Sequence, residues 1–220
     1  MRLRNNAFRL VFLIAIVSLT ALTPHSVPNA RATSAVATVP DMVEEDWQLV
    51  IGNPDPTAVG PQITTVMCPL AGKDNVPFAA FDLNYLEYPV FYAGGMQVQV
   101  WANDSIISAS SQAGGAFNTP GEQITWTQRM WTNGGMIGYD VNNGQSVTWG
   151  QFGQGALLQV GFNSNLTDLS GYSPDDSAKR SGASWESNRV QSLTLLRVRY
   201  YALGQLIATD NSPRVVVSND

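Results

Sequence analysis

The chain has 220 residues, with 17 acidic against 12 basic side chains, one histidine, one cysteine and a formal charge of −5. An acidic polypeptide repels phosphate backbones, which argues against nucleic acid as a partner. With Cys68 as the only cysteine no internal disulfide can form, so stability must come from packing alone.

In chain order, residues 1–32 read as a secretory signal peptide. Arg2, Arg4 and Arg9 give a positive start, Leu10 to Leu22 is an apolar run of 13 residues, and Ala30-Arg31-Ala32 is a small-x-small cleavage site. The run is shorter than a membrane span needs. The expected destination is therefore the periplasm, the cell surface or the medium, with no membrane insertion after cleavage. Cleavage removes His25 and four arginines, leaving eight basic against 17 acidic residues and a formal charge of −9. The remaining 188 residues suffice for one core. Residues 33–46 are expected to be a flexible acidic lead-in ending in Asp41-Met42-Val43-Glu44-Glu45-Asp46. Residues 47–220 are expected to form a single domain.

Strands are expected at Trp47–Ile51, Gln62–Met67 and Phe78–Leu86, where Phe81, Leu83 and Tyr85 share a face opposite Asp82 and Asn84. Met96–Trp101 and Ile106–Ala109 form a hairpin about Asn103-Asp104. The segment Glu122–Phe162 reads as four consecutive antiparallel strands. Ile124, Trp126 and Met130 alternate with Thr125, Thr127, Arg129 and Trp131. A two-residue loop at Asn133-Gly134 pairs Met130 with Ile137 and sets Asp140 opposite Thr127. A three-residue loop at Asn142-Asn143-Gly144 then pairs Tyr139 with Val147 and Ile137 with Trp149, keeping Trp126 and Trp149 inward. Leu157–Phe162 closes the set. Asn163–Asn188 is a long polar loop containing Trp185. Val190–Ala202 is the longest strand, followed by Leu206–Thr209 and Arg214–Val217. The fold class is all-β: an antiparallel β-sandwich, jelly-roll-like, of about ten or eleven strands, with no helix showing a convincing period.

With its histidine in the signal segment, the mature chain lacks the usual base of Ser-His-Asp or Cys-His catalysis. Carboxylate chemistry remains, with Asp140, Glu122 and Asp82 on or beside strands, but the Glu-x-Asp-x-x-Glu cluster of sandwich glucanases does not occur. Calcium is an open alternative through Asp140, Asn142 and Asn143, or Asp168, Asp175 and Asp176. No other cofactor is expected. Tryptophan beside amides on polar strand faces suits stacking on sugar rings. The candidate ligand-binding residues are Gln99, Trp101, Thr127, Arg129, Trp131 and Asp140. The competing reading is that these faces pack under a second sheet. An anion site near Asn188-Arg189, Arg197 and Arg199 is a second choice.

The order of strands resembles the concanavalin A-like lectin and glucanase jelly rolls, carried by Phe81–Tyr85, Gln97–Trp101, Thr125–Trp131 and Ser192–Tyr200. Val43–Trp47 and Asn53-Pro54-Asp55-Pro56 also resemble exported proteins of environmental bacteria. The resemblance implies a sugar-binding or surface role, and no catalytic residue carries over. The expected function is a non-catalytic, exported β-sandwich binding a polysaccharide or cell-surface component. The alternatives are a carboxylate-dependent glycosidase and a structural envelope protein.

Overall fold

The computed structural model describes residues 39–53, 61–73, 75–85, 94–117, 119–184 and 187–219. Residues 1–32, where a signal segment is expected, and Leu86 and Trp185 lie outside the described residues. In chain order the strands are β1 (Met42–Ile51), β2 (Gln62–Met67), β3 (Phe78–Tyr85), β4 (Gly95–Ala102), β5 (Ser105–Gln112), β6 (Gln123–Asn133), β7 (Met136–Ser146), β8 (Gly150–Phe152) and β9 (Gln159–Asn163). A short helix α1 (Pro174–Arg180) precedes β10 (Gly182–Ser184), β11 (Val190–Ala202), β12 (Gln205–Asp210) and β13 (Arg214–Ser218).

Thirteen strands among the described residues form two antiparallel sheets. The larger runs β12-β11-β1-β6-β7-β8, with β13 added to β11 and β9 to β7. The smaller runs β10-β2-β3-β4-β5. One apolar core lies between them. Trp47 stacks on Trp126 with ring centroids 6.3 Å apart, and Phe81 of the smaller sheet meets the edge of Trp126 at 5.7 Å. The protein is therefore an all-β sandwich, with three more strands than the lower expected count.

Strand β1 corrects the expected lead-in, because it starts at Met42 rather than Trp47. Its inward positions are Val43, Glu45, Trp47, Leu49 and Ile51, all fully buried. A glutamate at an inward position broke the apolar alternation and hid the first half of the strand. The outward Glu44 and Asp46 are held by arginines of β11.

The hairpin β6–β7 keeps the expected faces but not the expected loop. Its two loop residues are Gly134 and Gly135, with φ +57° and +92°, and Asn133 pairs with Met136. The register moves by two residues: Met130 lies opposite Tyr139, and Asp140 opposite Arg129 instead of Thr127. The next expected reversal does not occur. Asn143 takes φ +53° within β7, and Asn143-Gly144 together oppose Trp126 as a bulge. The chain turns only at Val147–Trp149 into β8, and Val147 is exposed. Tyr139 and Ile137 pair instead with Val160 and Phe162 of β9. Trp126 and Trp149 both face the core, Trp149 half-buried against Phe117 at 4.7 Å.

In β3, Phe81 and Leu83 face the core as expected, but Tyr85 does not join them. Asn84 adopts φ +56° and the register with β4 shifts between Leu83 and Tyr85. This turns Tyr85 to the outer side, beside Asp82.

Candidate functional site

The outer side of the smaller sheet carries a groove. Three rows cross it. Phe78, Trp101 and Ile106 are register partners at one end. Val66, Ala80 and Gln99 make the middle row. Thr64, Asp82 and Gln97 make the third. The middle row is low because Ala80 is small, so a groove of about 520 Å³ opens between the apolar row and the polar row. Gln62 and Tyr85 complete its polar end. β3 is the central strand of this sheet, between β2 and β4, and every residue of it from Ala79 to Asn84 is buried.

Side chains in the groove are held in fixed orientations. The Trp101 indole N–H donates to Gln99 Oε1 at 2.7 Å, and the Gln99 amide donates to Gln97 Oε1. Gln97 in turn donates to Ser111 Oγ at 2.8 Å. Trp101 is only half-buried, so part of its ring is open to the groove. Asp82 is 5% exposed and accepts at Oδ1 from Thr64 Oγ1 (2.6 Å) and Gln62 Nε2 (3.4 Å). Burial pushes its carboxyl above the ordinary value, and the two donors only partly offset this. Thus Gln99 and Trp101 line the same groove. Asp82 and Thr64 belong to it and were not in the expected set. The signal was available: an aspartate inside the otherwise apolar run Phe78–Leu83.

The other four expected residues lie on the outer face of the larger sheet and do not join this groove. Arg129 forks onto Asp140, its cross-strand neighbour, at 2.5 and 3.2 Å, and Asn142 donates to the same carboxylate. The Arg129 guanidinium also sits 5.1 Å from the centroid of the Trp131 ring. That ring lies flat against Gly138, where a Cβ would come within 2.3 Å of it. Trp131 thus packs onto its own sheet, and its half-buried ring lines a separate groove with Gly138, Gln159 and Gly161. Thr127 donates to Asp46 (2.9 Å), which also takes Arg197 and Arg199, and Arg199 reaches Glu44. This lattice joins β7, β6, β1 and β11. Of the residues considered for an anion site, Arg197 and Arg199 are committed to carboxylates, whereas Asn188 and Arg189 line a separate pocket with Gly121 and Asn219. The second group considered for calcium is spread similarly: Asp176 pairs with Arg180, Asp175 with Arg214, and Asp168 accepts from Ser170. Among the described residues no three His, Cys, Asp or Glu side chains cluster as a metal would require.

A third polar group lies in the core. Glu45 is fully buried and accepts from Tyr172 O–H (2.5 Å), Trp47 Nε1 (2.8 Å) and the Gln128 amide. Gln128 Oε1 accepts from Tyr139 O–H and from Thr65 of the smaller sheet, at 3.1 and 2.8 Å. Apart from Tyr172, which is 8% exposed, the residues of this cluster are fully buried between the sheets.

No protein-family model matches the sequence, and no curated protein matches it. Among solved structures the chain is similar to a Scytalido-glutamic peptidase bound to a peptide-based transition state analog (10% identity, TM-score 0.30, 83% of this chain and 85% of that one). It is also similar to SCP-B, an Eqolisin-family peptidase in complex with the tripeptide Ala-Ile-His (12%, 0.32, 83% and 84%). A third is the heptameric SAP-like pentraxin from Limulus polyphemus (11%, 0.30, 82% and 86%). At these scores the matches carry no argument for the site. The class is defined by the strand pairing itself: an antiparallel β-sandwich with a groove across one outer sheet face.

Proposed function

We propose that the protein is an exported, non-catalytic binding module, of the lectin-like jelly-roll kind, that takes a polysaccharide segment along the groove of the smaller sheet. One observation carries this reading. Trp101 presents part of its ring to the groove while its N–H is locked by Gln99, and a file of amides and hydroxyls runs beside it. Sugar rings offer an apolar face for stacking and hydroxyls that both donate and accept, so a fixed indole beside amides suits them. Fixing the side chains beforehand lowers the ordering cost of binding.

A hydrolase reading fits less well. Glycoside hydrolysis employs two carboxyl groups, roughly 5 to 9.5 Å apart. Among the described residues lining the groove the carboxylate is Asp82, and Asp140 lies on the other sheet in an ion pair. The test is a glycan array with purified mature protein. The expected result is retention of a polysaccharide class, with a drop of about tenfold or more for Trp101→Ala. A blank array, or binding unchanged in Trp101→Ala, rejects the groove as the site.

A further inference from the structure

Resting on that reading, we propose that the groove prefers saccharides bearing free amines, with the Asp82 carboxylate as counter-charge to the ligand's ammonium group. The contrast with the other acids on the sheet faces points there. Glu44, Asp46 and Asp140 each hold an arginine. Asp82 is as withdrawn from water as Asp140, yet its partners among the described residues are two neutral donors. Both converge on Oδ1. Among the described residues no hydrogen bond reaches Oδ2, and no Lys or Arg lines the groove.

A carboxylate sunk in a groove without a cation carries a desolvation cost that an incoming cation relieves. A neutral sugar offers only hydroxyl donors for that role. An ammonium offers the same donors plus a full charge. Geometry adds a length requirement. Asp82 is four residues along β3 from Phe78, the register partner of Trp101, so the backbone rows carrying the carboxylate and the indole lie about 13 Å apart. That spacing suits an oligomer whose amine lies beyond the ring on Trp101. The chain's excess of acidic over basic residues also draws a polycation toward it.

The experiment compares glucosamine oligomers with N-acetylglucosamine oligomers of equal length by calorimetry, using wild type, Asp82→Asn and Trp101→Ala. The expected result is tighter wild-type binding of the amine form by about tenfold or more, shrinking as salt is raised. Asp82→Asn abolishes that advantage, so that this variant binds the two forms with equal affinity. Trp101→Ala weakens both. Near-ultraviolet circular dichroism verifies that Asp82→Asn keeps its tryptophan packing, and the salt dependence needs no variant. Equal wild-type affinity for the two forms, or an amine preference that persists in Asp82→Asn, overturns the proposal while leaving the groove reading intact. Failure of both forms and of every neutral polysaccharide sinks both readings. A lysine oligomer bound as tightly as the glucosamine oligomer overturns the saccharide assignment.

Discussion

Glu45 is the residue whose environment departs furthest from what its chemistry favours. It is fully enclosed between the sheets, and burial pushes its carboxyl above 4.5 despite donors from Tyr172, Trp47 and Gln128. The folded state therefore holds this proton more tightly than the unfolded chain does. The resulting stability is present below the unfolded value, near 4.5, and is lost as pH rises through the folded value. Asp82 acts in the same direction from its own ordinary value of 3.8. We expect the melting temperature to fall as pH rises through this window. Glu45→Gln should flatten part of that slope and Asp82→Asn another part, measured by calorimetry across the mildly acidic range. An unaltered slope in Glu45→Gln would contradict the buried carboxyl. Glu45→Ala, which strands several buried donors, should cost about 3 kcal/mol or more by urea unfolding.

At the scale of elements, bulges decided what the sequence revealed. Alternation identified β6, β7 and β11, and the faces of Trp126, Met130 and Tyr139, because each position has a strong preference for one side. It failed at Asn143-Gly144 for a definite reason. A three-residue loop and a one-residue bulge change the parity of a strand alike, and both favour an asparagine or glycine with positive φ. Only the partner strand separates them. The same ambiguity misplaced Tyr85. Helix α1 was missed because seven residues are too few for a period. Its cues were instead Pro174 at the start, Asp175 and Asp176 in the first turn, and Lys179 and Arg180 in the last. Of the groove, Gln99 and Trp101 were legible as polar-face residues of β4. Asp82 was legible likewise as a polar-face residue of β3, but its place in a groove beside Ala80 and Gln99 needed the pairing of β3 with β4. The bulge itself is testable. A Cβ on Gly144 would fall 2.3 Å from the Phe152 ring, so Gly144→Ala should displace that core side chain and cost about 1–3 kcal/mol by urea unfolding.

On the scale of the whole molecule, the two outer faces divide the labour. The larger sheet commits its charges to one another: Asp46 ties β1 to β11 through Arg197 and Arg199, and Asp140 ties β7 to β6 through Arg129. Removing Asp46 leaves two guanidinium groups facing each other. Asp46→Ala should lower stability by about 1–3 kcal/mol, more at low salt than at high, while leaving groove binding unchanged. Arg129→Ala and Trp131→Ala should behave likewise, as losses in melting temperature without loss of ligand. A ligand lost on Trp131→Ala with the fold intact would move the site to the other sheet.

Ala80 has a consequence of its own. Because one methyl group forms the bed of the cleft, the passage across the sheet is kept open by what position 80 lacks. An isobutyl group there would dam the channel and leave all the surrounding polar atoms where they stand. On the proposed reading, admission to the groove is governed by a vacancy in shape, upstream of any question of charge.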